Sequence, residues 1–237
     1  MKPALQILAP LFAALLIGGC VKCRLPAIST KTVEGRVVEY GPAARARLQP
    51  YFQQAAITYP PQRLTLVGLK AERQLQVYAT ARSGAWRLVR AYPILGASGV
   101  AGPKLREWDR QVPEGIYPIE LLNPNSRYEI SMQIGYPNAF DRQHAAQDAR
   151  TNLGGDIMIH GGTNSIGCLA MGDDASAELF VLTADTGLTN VTVILAPADF
   201  RAGKPWPAAT NLPAWTSELY RQIQSRLAEF PLPSSAP

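Results

Sequence analysis

Ile157–Asp174 reads IMIHGGTNSIGCLAMGDD. Asp156–His160 (DIMIH) is a short apolar run of strand character ending in a histidine, and Cys168 follows that histidine by eight residues. Between them Gly161, Gly162 and Gly167 permit bends tight enough to bring a thiol back beside the imidazole. A free thiol is only a few per cent ionised near neutral pH, and a neighbouring histidine both lowers its pKa and accepts its proton. Cys168 and His160 are therefore a candidate pair, whose thiol would alkylate faster at neutral pH than a free cysteine. Gly167 lets a carbonyl approach unhindered, and the backbone N–H groups around Gly167 and Cys168 are the candidate oxyanion donors. The competing reading is a buried structural thiol near a core histidine, and spacing alone does not separate the two.

Outward from this stretch the pattern is that of a sheet. Leu64–Leu69 (LTLVGL) and Gln74–Ala79 (QLQVYA) flank Lys70–Arg73 as a hairpin, and Trp86–Tyr92 (WRLVRAY) keeps the same period. Gly96, Gly99, Gly102 and Pro103 mark a loop, followed by the polar stretch Lys104–Gln111. Further strands are expected from Pro113, over Tyr128–Ile134 and over Val191–Ala196. Helices are expected over Ala43–Ala56 (broken by Pro50), over Ala175–Thr183 and over Ala214–Phe230, where Leu219, Ile223 and Leu227 recur every four residues. Asp141–Arg150 reads as a polar surface loop that carries His144. The fold class is mostly β with a few helices, in one sheet-rich domain.

The 237 residues are 47% hydrophobic and 17% charged, which excludes an intrinsically disordered chain. Two histidines leave little material for a haem or multi-histidine metal enzyme. A zinc site from His144, His160 and Cys168 would lack a fourth ligand and the usual spacings, so neither a metal nor an organic cofactor is expected. The net charge of +5 comes without a basic run or a nucleic-acid motif, so no nucleic-acid partner is expected. At the amino terminus Lys2 precedes an apolar run, Ala4–Ile17, that is short for a bilayer span, so residues 1–19 read as a signal peptide. Ile17-Gly18-Gly19-Cys20 is similar to a bacterial lipobox, which makes Cys20 the lipidation site; the alternative is a plain signal peptide with a chance cysteine. Cys23 then lies in the tether, and Cys168 stands alone in the folded part. The expected location is the periplasm, with a lipid anchor in the outer membrane.

His160-Gly161 followed by Ser165-Ile166-Gly167-Cys168 resembles the catalytic motif of the L,D-transpeptidase (YkuD-type) family, a His-Gly ahead of Ser/Thr-His-Gly-Cys. Leu64–Ala79 resembles that family's opening hairpin, and Val112–Tyr117 (VPEGIY) its Thr-Pro-x-Gly-x-Phe strand. Asn123–Tyr128 (NPNSRY) and Tyr136–Arg142 (YPNAFDR) are similar to an envelope branch of it. The resemblance implies a sandwich-like β catalytic domain and thiol-mediated acyl transfer on diaminopimelate-containing peptidoglycan stem peptides. It makes Cys168 the nucleophile and His160 the proton carrier, with the Gly161 carbonyl orienting the imidazole and Ser165 hydrogen-bonded within the loop. It also makes Arg127 and Arg142 candidate ligands for substrate carboxylates, and Tyr136 and Asn138 candidate cleft residues; Asp156 is a candidate brace. Solvated loop charge and ordinary structural roles are the alternatives for all five.

Two positions depart from the family pattern. Ile166 stands where the family has a histidine before Gly-Cys, and Ala170 where an arginine often follows the cysteine by two. The Gly-Cys-Leu-Ala-Met block is instead similar to a branch that includes an amidase releasing a wall-attached lipoprotein. Hydrolysis is thus the first alternative, and a non-catalytic wall-binding lipoprotein the second. The implied partners are peptidoglycan stem peptides, a wall-attached lipoprotein as a second class, and the membrane through the lipid. The implied order is a signal peptide at 1–19, a lipid-anchored tether with a short helical segment at 20–61, the catalytic domain at 62–200, and a Pro-rich loop with an amphipathic helix at 201–237.

Overall fold

The computed structural model describes residues 30–80, 84–203, 206 and 211–233. Cys20 and Cys23, with the signal-peptide and lipid-anchor readings, lie outside the described residues. Lys31–Pro237 form one compact unit.

Strand β1 (Arg63–Leu69) shows how the sheet is buried. Leu64 and Leu66 join one hydrophobic cluster while Val67 and Leu69 join another, so alternate residues serve opposite faces. The same division holds in β2 (Gln74–Thr80), where Leu75, Val77 and Ala79 face the first cluster and Tyr78 the second. β1 and β2 pair antiparallel from Arg63–Thr80 to Leu69–Gln74, as the hairpin pattern predicts. β3 (Trp86–Pro93) extends the edge beside β2, while β9 (Val191–Ala196) runs parallel to β1 on its other side.

β5 (Gly115–Ser126) carries the sheet toward the site. Its start, Gly115–Pro118, pairs antiparallel with β9, and its later part pairs with β6 (Glu129–Ile134). Register shifts between Ile119 and Leu121 and between Asn123 and Ser126 mark irregularities of the kind that bend a strand. Beyond β6 come β7 (Met158–His160), β8 (Leu169–Ala170) and the two-residue β4 (Gly96–Ala97), giving the order β3-β2-β1-β9-β5-β6-β7-β8-β4. Among the described residues the result is a nine-stranded mixed sheet with four α-helices, mostly β as expected.

Two helices, α1 (Val33–Gln54) and α3 (Asp173–Thr186), contribute Leu48, Phe52, Leu179, Phe180 and Leu182 to the first cluster. α4 (Thr216–Leu227) brings Leu219, Tyr220, Ile223 and Leu227 to the second, the amphipathic packing its four-residue repeat predicts. Burying large side chains of this kind stabilises by roughly 1.5–3 kcal/mol each.

Two segments correct the sequence reading. α1 begins at Val33 rather than Ala43 and continues through both Pro42 and Pro50, which lie exposed. Thr32 caps it by accepting the Gly35 N–H at 3.0 Å, and a bidentate Arg45–Asp185 pair at 2.7 and 2.8 Å ties it to α3. Tertiary anchoring therefore outweighs the lost proline hydrogen bonds, and the expected short helical segment is a 22-residue helix within the first cluster. The second is Asp141–Arg150, expected as a loop, most of which belongs to α2 (Ala139–Gln147). Asn138 and Asp141 form a reciprocal capping box at 2.9 Å in each direction. His144 is correspondingly buried, stacked on Trp215 with ring centroids 4.8 Å apart, and not a surface loop residue.

Two stability predictions follow from buried carboxylates. Glu178 in α3 accepts hydrogen bonds from Arg47 at 2.6 Å, Arg90 at 2.5 Å and Tyr92 at 2.6 Å. Glu178→Ala strips two cations and a phenol of their shared acceptor and is expected to cost about 3–5 kcal/mol in denaturant unfolding; a loss below about 1 kcal/mol contradicts this account. Asp141 is 5% exposed, and burial pushes its carboxyl up to about 6 against the opposing hydrogen bond from Asn138. The folded carboxyl thus holds its proton more tightly than the unfolded one. Its contribution is complete below the unfolded pKa of about 3.9 and is lost as pH rises through about 6. Asp141→Asn should therefore gain on the native chain by about 1–3 kcal/mol between pH 4 and 7 in paired melting curves; a constant difference across that range refutes the burial effect.

Candidate active site

β7 and β8 run parallel, with Ile159 opposite Leu169 and His160 opposite Ala170. Cys168 immediately precedes β8, and extending the register one residue back places it beside Met158, whose N–H donates to the Cys168 Sγ at 3.4 Å. Residues two apart on a strand share a face, as do paired neighbours, so His160 and Cys168 project from the same face of this pair. The Cys168 S–H donates in turn to the Asp156 carbonyl at 3.8 Å, so Asp156 braces the thiol through its backbone.

His160 is 2% exposed and its orientation is closely held. Nδ1 lies 2.6 Å from the Gly161 carbonyl oxygen, and a carbonyl can only accept, so Nδ1 carries the proton and Nε2 is left as the basic nitrogen. The Tyr128 ring stacks on the imidazole with centroids 4.1 Å apart and planes 17° from parallel. The Met171 N–H donates to the His160 carbonyl at 2.8 Å, and the Gly162 N–H to Asp173 Oδ1 at 2.8 Å, which ties the loop after β7 to the start of α3. Ser165 Oγ donates to the Cys168 carbonyl at 2.5 Å, closing the loop before the nucleophile candidate.

Two chemical expectations are corrected here. The Gly167 N–H, expected as an oxyanion donor, donates instead to Ser98 Oγ at 2.6 Å, because a φ of +106° turns that amide toward the 98–111 loop. Burial pushes the Cys168 thiol up, the Met158 N–H opposing it, where the sequence predicts a lowered value. Burial likewise pushes the His160 imidazole down, with the Gly161 bond opposing. Both shifts favour the neutral form, the thiol of Cys168 and the uncharged imidazole of His160.

Cys168 lines a cleft of about 230 Å3 together with Lys104, Glu107, Trp108, Arg110, Gly154, Gly155, Asp156, Ile157 and Ile166. A larger cavity of about 780 Å3 opens along Val100–Pro103, Leu105, Arg150 and Leu212 and touches neither Cys168 nor His160. Trp108 and Ile166, 82% and 71% exposed, put apolar surface at the cleft, and Trp108 and Arg110 hold left-handed φ values of 61° and 57°. Lys104 is neutralised by Asp109 at 2.6 Å, whereas the exposed Arg110 has no such pair among the described residues. The loop bearing these residues is fixed from beneath by a buried Lys70–Glu114 pair at 2.8 Å, Glu114 also accepting the Gly102 N–H at 2.8 Å.

The expected ligand residues divide. Arg127 is exposed in the turn between β5 and β6. Arg142 is exposed and donates to the Pro137 carbonyl. Tyr136 is a correction: it is buried, its hydroxyl directed to the Lys104 and Leu153 carbonyls at 3.2 and 3.3 Å, because the core needs its ring. Asn138 is another: its side chain caps α2 and donates to the Ile116 carbonyl at 3.0 Å. Neither lines the cleft. The sequence reading missed Ser98, Trp108, Arg110, Tyr128 and Asp173; of these Tyr128 stood within the quoted NPNSRY and Asp173 within the quoted Ile157–Asp174 stretch.

The described geometry lies in a segment with a family match: residues 62–193 match the L,D-transpeptidase catalytic domain, YkuD. The chain belongs to this family. An Escherichia coli K12 relative, named "Putative L,D-transpeptidase YafK", is 40% identical over 113 residues, which is 47% of this chain and 43% of the relative. The match thus spans less than half of that relative's length. Among solved structures, the helical cell shape determining protein Pgp2 from Campylobacter jejuni is 19% identical, with 70% of this chain and 57% of that chain covered and a TM-score of 0.48. Bd1075 from Bdellovibrio bacteriovorus is 18% identical over 73% of this chain and 57% of that chain, with a TM-score of 0.42.

The raised thiol gives a direct test on this L,D-transpeptidase-family protein. Iodoacetamide should modify Cys168 more slowly than free cysteine at pH 7, with the rate still climbing above about pH 9 when followed by peptide mass spectrometry. A rate equal to or above that of free cysteine at pH 7 overturns the neutral resting pair.

Proposed function

We propose that the protein is a cysteine acyltransferase acting on diaminopimelate-containing peptidoglycan stem peptides through a Cys168 thioester. The observation that carries this reading is the fixed His160 tautomer, with Nδ1 committed to Gly161 and Nε2 left basic on the face that also bears Cys168. As Sγ attacks the scissile carbonyl carbon, its proton passes to Nε2 and the carbonyl electron pair moves to oxygen. Collapse of that intermediate breaks the C–N bond, and the imidazolium returns its proton to the departing amine. An acceptor amine then attacks the thioester, giving its proton to Nε2, and the released thiolate regains a proton from the imidazolium. The Met158 N–H, already directed at Sγ, favours the transient thiolate.

Hydrolysis is the second reading, with water replacing the acceptor amine. It is supported by Ile166 and Ala170, which leave the Cys168 block without the polar side chains of the family's usual histidine and arginine. In either case we place the activity at the envelope, where a lipid on Cys20 would hold the domain near its polymer.

Purified sacculi treated with the protein and analysed by mass spectrometry of the released stem peptides distinguish these outcomes. New dimers joined between stems, or stems carrying a new amine, indicate transfer; trimmed or released stems indicate hydrolysis. Cys168→Ala should lower either rate by at least about 10³-fold with an unchanged melting temperature. Sacculi left unaltered by the native chain, or altered equally by Cys168→Ala, overturn the proposal.

A further inference from the structure

Tyr128 occupies a two-residue turn with Arg127, between Ser126 and Glu129, which pair across the end of the β5–β6 hairpin. Its N–H donates to Ser126 Oγ at 3.2 Å and its carbonyl accepts the Ile130 N–H at 2.8 Å, so the backbone beneath the ring is fixed. The ring lies over His160 at 4.1 Å and over the next turn as well. A Cβ on Gly162, where φ is +67°, would meet Tyr128 Cδ1 and Cε1 at 3.3 and 3.4 Å. The half-buried hydroxyl donates to no group among the described residues. The aromatic face, rather than the phenol, is what this residue presents.

We propose that Tyr128 is a positioning residue for His160, its ring fixing the imidazole plane and favouring the imidazolium formed when the base takes the thiol proton. This rests on the acyl-transfer reading for its kinetic consequence, though not for its physical one. The Gly161 bond restrains the imidazole in its own plane, and the stack restrains rotation out of that plane, so together they fix the direction of Nε2. A cation against an aromatic face is attracted by the ring quadrupole, most strongly where water is excluded. The imidazole is buried and, among the described residues, no carboxylate is bonded to it, so the ring offsets part of the desolvation of its protonated form. The other titratable groups of this neighbourhood include Cys168 just before β8, Asp156 and Lys104 on the cleft side of that thiol, and Asp173, whose Oδ1 holds the Gly162 N–H. All of these stay constant in the variants below.

The chain contains two histidines, so the His160 imidazole signals can be assigned and titrated by NMR with little overlap. The test compares native protein with Tyr128→Phe, Tyr128→Leu and a chain carrying pentafluorophenylalanine at 128, which keeps the ring's shape and inverts its quadrupole. Phe should leave the His160 midpoint and turnover within about twofold of native, because the π face remains. Leu and the fluorinated ring should lower the midpoint by about half a pH unit and kcat by about tenfold, with KM within about threefold. The acid limb of the rate profile should move down with the midpoint. A midpoint unmoved in the fluorinated chain, or a loss confined to KM, overturns the proposal; if Leu unfolds the protein, the fluorinated chain alone decides. The titration uses no substrate, so a failure of the peptidoglycan reading leaves the test of Tyr128 intact.

Discussion

The hydrogen bond from His160 Nδ1 to the carbonyl of Gly161 is the constraint on which the site depends. It settles which nitrogen carries the proton without help from a carboxylate, the role an aspartate plays in a Ser-His-Asp triad. A neutral acceptor orients the ring but adds no negative charge, so it supports the imidazolium less than a carboxylate would. The backbone around it must therefore be rigid. The Met171 N–H on the His160 carbonyl and the Asp173 carboxylate on the Gly162 amide supply that rigidity from two sides.

Rigidity here is inherited from the sheet. β7 is only three residues long, yet it is paired on both edges, antiparallel to β6 and parallel to β8. β6 is in turn held by β5, whose irregular register carries the sheet from β9 to this end. The cleft loop is fixed separately, by Glu114 at the start of β5's approach. Its carboxylate joins Lys70 at the end of β1 to the Gly102 backbone. Asp109 accepts the N–H groups of Leu105, Arg106 and Gln111, so that loop is bonded internally as well. The thiol and the wall facing it are thus set by two largely independent networks.

Much of this was legible in the sequence, for physical reasons that differ by element. The β1–β2 hairpin, β9 and α4 carry strong periodicity, because one regular pattern decides which face each residue serves. The His160–Cys168 loop was legible because glycines punctuate it. α1 was hidden by its prolines, since its stability comes from partners more than a hundred residues away, Asp185 among them. α2 was hidden by its polar composition, although Asn138 and Asp141 had the spacing of a capping box. The Tyr128 stack and the Ser98 acceptor on Gly167 join residues distant in sequence and leave no local signal. The direction of the thiol's shift depends on burial, which spacing does not reveal.

Neutrality of both partners at rest alters where the energy of reaction must come from. Each shift in pKa of one unit corresponds to about 1.4 kcal/mol, and burial here disfavours thiolate and imidazolium alike. Forming that ion pair before substrate arrives is therefore unfavourable, and the thiol is kept in its less reactive form. On the proposed acyl-transfer reading, with a carbonyl carbon in reach, the sulfur's developing charge passes to the carbonyl oxygen, so an oxyanion and the imidazolium both have to be accommodated. For the imidazolium, the groups able to do so are those already touching the ring: the Gly161 carbonyl in its plane and the Tyr128 face above it. Groups on the sulfur side, such as the Met158 amide, act earlier and more briefly. On the proposed reading, a site arranged in this way withholds its thiolate until the substrate itself completes the charge balance.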